Sequence, residues 1–201
     1  PAVFDFYRPP DAGPGPLPVV TLVHGGGFFV GARTMRPVLW LTEQLTRRGF
    51  AVLACDYPLV RAGVTLEDQV DAITEAVAVP RRHASRLGVD PRRHAVVGFS
   101  AGATIAVLAA ERAADGDVSR VVAVFGLYDF LSLEGPLTRE FRRRLLGDVG
   151  DARARGASPL TSGGPRVPVT LLHGESDGLV PCEQSRRFAD RRQALGLPVE
   201  L

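Results

Sequence analysis

Five short apolar runs punctuate the 201-residue chain: Val19 to Val23, Phe50 to Cys55, Ala95 to Phe99, Val121 to Leu127 and Val169 to Leu172. Each has Gly, Pro or Asp close downstream, and none alternates strictly between apolar and polar positions. That is the pattern of strands buried on both faces, as in a parallel sheet. Between the runs the period changes to that of a helix. Val38, Leu41 and Leu45 form one stripe, and Leu66, Val70, Ile73 and Val77 form a second. An alanine-rich helix is predicted over residues 100 to 114, directly after the third strand, and a last helix over 181 to 195 with Phe188 and Leu195 as apolar anchors. Pro80 lacks an amide hydrogen and predicts a break after the second stripe. Asp90-Pro91 predicts a turn into the third strand. Strands alternating with helices predict an α/β fold in one domain, with a mostly parallel sheet and helices on both faces.

Residues 130 to 165 are less regular and richer in Arg, Gly and Asp, which predicts a cap-like insertion over one end of the sheet. Within it Arg139, Arg142, Arg143 and Arg144 alternate with Leu137, Phe141 and Leu145, so helical spacing places the arginines mainly on a solvated side. At its end the chain passes through Leu197-Pro198-Val199-Glu200-Leu201, where alternation has just begun. The expectation is a sheet incomplete at both ends, in a piece of a longer protein.

Composition narrows the class without changing this picture. All 24 basic residues are arginine and face 22 acidic ones, a balance that predicts no nucleic-acid partner. Hydrophobic residues make up 45% of the chain and mean hydropathy is +0.08, as in a single soluble domain. No apolar run approaches the roughly 20 residues that cross a bilayer, and no signal-peptide pattern opens the chain. A cytoplasmic location is the expectation. Cys55 and Cys182 fit no metal spacing and are read as free thiols.

Three local patterns carry chemistry. Gly98-Phe99-Ser100-Ala101-Gly102 is a G-x-S-x-G string at a strand-to-helix junction, where a sharp turn pushes the serine hydroxyl outward. Its two glycines then have a steric reason, which an ordinary serine helix cap lacks. His24-Gly25-Gly26-Gly27-Phe28 follows the first core strand, and consecutive glycines let backbone amides face a ligand. Gly26, Gly27 and Ala101 are the candidate oxyanion donors. In His173-Gly174-Glu175-Ser176-Asp177 an acid follows a late strand, and Asp177 is the candidate orienting carboxylate, with a turn or helix-cap aspartate as the plainer reading. Ser100 is the candidate nucleophile. Gly25, Gly27, Gly31 and Asp56 suggest a rival dinucleotide-binding turn, but G-x-G-x-x-G needs glycine at position 30, which is Val30. No metal or organic cofactor is called for.

In this order the three patterns resemble the α/β-hydrolase superfamily, especially the hormone-sensitive-lipase-like and feruloyl-esterase-like carboxylesterases, across nearly the whole chain. Phe6-Tyr7-Arg8-Pro9, Asp56-Tyr57, Leu87-Gly88-Val89-Asp90-Pro91 and Ala157-Ser158-Pro159-Leu160 add to the likeness. Phe99, Ala103 and Pro58 depart from the lipase-like pattern, where Asp, Gly and Arg are usual. The resemblance implies a serine ester hydrolase working through an acyl-enzyme on a small-molecule ester. It also implies a catalytic histidine roughly thirty residues after the acid. None of the 24 residues after Asp177 is histidine. His24, His83, His94 and His173 all lie elsewhere, and His173 stands in a string where the superfamily's histidine is structural. The expectation is that the base lies outside this chain and that the chain alone has little or no activity. Two alternatives stay open: an amide hydrolase of the arylformamidase or peptidase kind, and a non-catalytic binding protein of the same fold.

Overall fold

The computed structural model describes residues 3–13, 15–61, 63–132, 136–147 and 150–201, and the side chains of all of these except 136–139. Among them the strands are β1 (Val3–Tyr7), β2 (Leu17–Val23), β3 (Ala51–Asp56), β4 (Val89–Phe99), β5 (Arg120–Val124), β6 (Val169–Leu172) and β7 (Val199–Glu200). The helices are α1 (Arg36–Thr46), α2 (Leu66–Val77), α3 (Val79–Arg82), α4 (Ala84–Leu87), α5 (Ala101–Arg112), α6 (Pro136–Leu146), α7 (Asp151–Ala157), α8 (Pro159–Ser162) and α9 (Glu183–Ala194). The strands form one sheet in the order β1-β3-β2-β4-β5-β6-β7. Only β1 runs antiparallel. All five predicted strands are present.

Boundaries differ where local chemistry overrides the apolar pattern. The fourth run stops at Val124 because Phe125 turns to a positive φ of 44°, which no strand tolerates. The turn expected at Asp90-Pro91 is an irregularity inside β4, where the pairing jumps from Leu17↔Val89 to Val19↔His94. Asp90 steadies it by accepting from the Arg92 amide at 3.0 Å. The break expected at Pro80 falls two residues earlier, since α2 ends at Val77 and Pro80 sits in the first turn of α3, where its missing N–H has no helical partner to lose.

The two faces of the sheet are covered unequally. One carries α2, α5 and α9 over Leu53, Val96, Val121, Ala123 and Leu171. Helix α5 is alanine-rich because nine of its twelve residues are buried, and small side chains let it lie close to the strands. Among the described residues, the other face has α1 alone, packed on Val20, Leu22, Val52 and Ala54. One helix about 10 Å wide covers two strands spaced about 4.8 Å apart. Over β4, β5 and β6 that face is left as an apolar groove of about 470 Å³, lined by Val97, Phe99, Val122 and Val124 with Trp40 at its wall. The expectation of helices on both faces therefore holds fully on one side and in part on the other.

The irregular 130–165 segment is largely helical. Phe141 of α6 packs its ring against Phe28 and Phe29, at centroid distances of 6.0 and 5.8 Å. Arg143 and Arg144 pair with Glu140, and Arg142 with Asp151, on the polar side, while Leu145 is buried. Leu137 and Arg139 fall outside the described side chains. Both cysteines are free thiols, Cys55 buried and Cys182 partly so.

Two buried polar groups fasten the layers. The Arg192 guanidinium of α9 donates to the carbonyls of Gly163, Pro165, Val167 and Pro198, the last three at 3.0 Å. Burial pulls its pKa down to about 10, so it stays charged at neutral pH. His94 joins β4 to β2 by accepting from Thr21 Oγ1 at 2.8 Å, and its Nδ1–H donates to the Asp117 carbonyl at 2.5 Å. Arg192→Met leaves those carbonyls without a donor and is expected to cost at least about 3 kcal/mol, read as a lower urea midpoint. Burial lowers the His94 pKa from 6.5 to about 4. The neutral ring is the folded form, so its contribution is complete above pH 6.5 and drains as pH falls toward 4. The loss is expected to be on the order of 3 kcal/mol. Unfolding free energy measured against pH should lose that part of its slope in His94→Gln.

Candidate active site

Ser100 lies between the last residue of β4 and the first of α5, with φ 52° and ψ −120°. An L residue adopts this conformation only when its surroundings enforce it. The enforcement is visible: the Ser100 amide donates to the Val124 carbonyl at 2.8 Å, and its own carbonyl accepts from Ala103 at 2.9 Å. Both glycines of the string are required by close backbone approach. A Cβ on Gly98 would run into the Gly102 carbonyl, and one on Gly102 would run into the His24 carbonyl. The elbow thus packs directly on the glycine turn that leaves β2.

That turn approaches the serine itself. A Cβ at Gly25 would lie 3.3 Å from Ser100 Cβ and 3.0 Å from the Phe99 carbonyl. Gly26 has φ 126° and Gly27 φ 57°, and the Gly26 carbonyl accepts from Phe29 and Val30, both at 3.1 Å. Among the described residues, the N–H groups of Gly26, Gly27 and Ala101 donate to no protein acceptor. Free N–H donors on the two turns that meet at Ser100 can stabilise charge developing on an oxygen.

Asp177 lies in the loop after β6. Because Phe99 pairs with Val124 and Val124 with Leu172 in parallel register, the segments leaving β4 and β6 emerge at one edge of the sheet. Two strand spacings, about 10 Å, separate those exits. Asp177 Oδ1 accepts from the Leu179 and Val180 amides at 2.8 and 3.0 Å. These bonds, that of Val180 foremost, hold its carboxyl below the usual range and keep it ionised at neutral pH. Oδ2 faces His173 Nε2 at 3.6 Å.

None of the four histidines is free to act beside Ser100. His173 Nε2–H donates to the Val180 carbonyl at 2.8 Å, which leaves Nδ1 to accept from Ser185 Oγ at 2.7 Å. His94 is spent within the sheet. His83 precedes the eleven residues of β4 and so lies at the opposite edge, on the order of 30 Å away. His24 is buried under the glycine turn, stacked on Tyr57 with centroids 4.2 Å apart.

A group that sequence reasoning passed over surrounds His24. Asp56 accepts from the Arg33 amide at 2.5 Å and from its guanidinium, and Arg33 Nε reaches Asp5 of β1 at 2.7 Å. Asp56, weighed earlier as a ribose ligand, is thus a structural anion. Gly31 of the same rejected fingerprint is explained too: with φ 122°, a Cβ there would lie 2.5 Å from His24 Nδ1. Gln184 was also missed. Its Oε1 accepts from the Tyr128 and Asp129 amides, both at 2.9 Å, and ties the segment after β5 to α9. A lone Arg or Gln in a polar stretch gives no signal of such roles.

Known proteins are similar to this chain in sequence and in fold. Isoprenylcysteine alpha-carbonyl methylesterase ICME of Arabidopsis thaliana is 29% identical over 98% of this chain and 51% of its own length. Esterase LipC of Mycobacterium tuberculosis is 28% identical over 96% of this chain and 52% of its own. The chain spans about half the length of the curated relatives it matches. Among solved structures, the apo form of Thermogutta terrifontis esterase 2 superposes with a TM-score of 0.80 at 27% identity, covering all of this chain and 76% of that one. The same enzyme phosphorylated by paraoxon gives a TM-score of 0.79 at 25% identity, with 75% of that chain covered. The fold is that of the α/β-hydrolase esterases. The family model for BD-FAE matches residues 4–191, and the chain belongs to that family.

Proposed function

We propose that this chain carries the nucleophile, oxyanion donors and orienting acid of a serine carboxylic-ester hydrolase that acts on small ester substrates through an acyl-enzyme. The observation that carries the reading is the strained Ser100 beside three unoccupied N–H groups. Ser100 Oγ attacks the ester carbonyl carbon while its proton passes to an imidazole base. The carbonyl oxygen gains a negative charge that the Gly26, Gly27 and Ala101 amides receive. The C–O bond to the alcohol then breaks, and the alkoxide takes the proton from the base. Water repeats the sequence on the acyl-enzyme and releases the acid. Asp177, ionised at neutral pH, fixes the tautomer of that imidazole and stabilises its cation. The described residues do not supply the imidazole. No step calls for a metal or an organic cofactor.

Phe141 against Phe28 and Phe29 supports reading residues 130–165 as a cap beside the crevice. The esterase names among the relatives favour an ester over an amide. The 201-residue chain and a longer polypeptide containing it should be assayed together on p-nitrophenyl acetate. Hydrolysis by the longer polypeptide is expected to fall at least about 10³-fold in Ser100→Ala, with the shorter chain near that residual level. Equal turnover by the two would place the base within these residues, and no Ser100-dependent turnover in either would favour a binding protein.

A further inference from the structure

His24 faces two acceptors and has one proton to give when neutral. Its Nδ1 lies 2.7 Å from the Gly25 carbonyl, and its Nε2 lies 3.6 Å from Asp56 Oδ1. The ring is buried, sandwiched between Tyr57 and the space left by Gly31, and Nε2 has no hydrogen-bond partner. An unneutralised carboxylate at that distance would draw the proton to Nε2. Asp56 is held off: its Oδ2 pairs with the Arg33 guanidinium, which Asp5 shares, and the Oδ1 that faces His24 accepts from the Arg33 backbone amide.

The consequence runs through one peptide plane. In a trans peptide the Gly25 carbonyl and the Gly26 N–H point in opposite directions. A carbonyl held on the His24 ring therefore aims the Gly26 N–H away from that ring. With Gly25 in contact range of Ser100, away from the ring is toward the serine's side of the turn.

We infer that Arg33 is a positioning residue for the oxyanion donors: by engaging both oxygens of Asp56 it keeps the His24 proton on Nδ1, where it grips the Gly25 carbonyl and sets the aim of the Gly26 N–H. The inference rests on the proposed role of Gly26 as a donor. Asp5 completes the device by holding the guanidinium from β1 at 2.7 Å, so an edge strand far from the serine in sequence governs the direction of an amide beside it.

The test reads the tautomer directly, by ¹⁵N NMR of protein labelled at histidine, with His24 assigned through His24→Gln. The wild type is expected to carry its proton on Nδ1 at neutral pH. Arg33→Gln is expected to move it to Nε2 and to shift the Gly26 amide resonance. Arg33→Lys keeps the charge and should keep Nδ1–H, and the double variant Arg33→Gln/Asp56→Asn should restore it, which a general loss of packing could not do. A wild-type proton on Nε2, or an Arg33→Gln proton still on Nδ1, overturns the inference. In the active polypeptide, Arg33→Gln should lower kcat on the order of 100-fold with KM nearly unchanged, the size expected when one oxyanion donor is lost. A tautomer change without a fall in kcat would instead overturn the assignment of Gly26 as a donor, and the two failures are thereby told apart.

Discussion

The structure depends on a contact of backbone with backbone. The glycine turn leaving β2 and the elbow leaving β4 approach so closely that a Cβ on Gly102 would run into the His24 carbonyl and one on Gly25 would lie 3.0 Å from the Phe99 carbonyl. Everything near Ser100 follows from that approach. It forces the serine into a conformation L residues avoid, and it leaves the amides of the turn and of the α5 start without partners. Strain of this kind persists only where a rigid scaffold imposes it. Here the scaffold is the central β2–β4–β5 part of the sheet, buried under α5.

Buried polar groups hold segments at both edges of the sheet. His173 spends both ring nitrogens on Val180 and Ser185 and so braces the loop that carries Asp177. His94 spends both of its own within the sheet, and Arg192 gathers four carbonyls at the foot of α9. A buried donor left unpaired is expensive, so each of these groups ties down the segment it serves. His24 has one ring nitrogen bonded and the other without a hydrogen-bond partner. That imbalance is what makes its surroundings, and Arg33 in particular, decisive.

Much of this was legible in the sequence because it depends on period and on glycine. Apolar runs marked five of the seven strands among the described residues, and the other two are edges: β1 alternates too little to stand out, and β7 has only two residues, where alternation has just begun. The fourth run overshot because hydropathy cannot see the positive φ of Phe125. The G-x-S-x-G string and the three glycines marked the two turns that meet at Ser100, since close backbone approach or a positive φ at these positions favours glycine. The Arg33–Asp56–Asp5 bridge was invisible for the opposite reason. Its two links join positions 28 and 23 apart, on three separate segments, and each member alone reads as an ordinary surface charge.

The central claim is that the hydroxyl at position 100 and the free amides act on one oxygen. It is tested most directly by a crystal structure of the protein with Ser100 covalently phosphonylated, the adduct standing in for the tetrahedral intermediate. The account predicts the phosphoryl oxygen about 2.7–3.1 Å from the N–H groups of Gly26, Gly27 and Ala101. An adduct whose oxygen points to solvent or to other donors, or one formed on another residue, would contradict it.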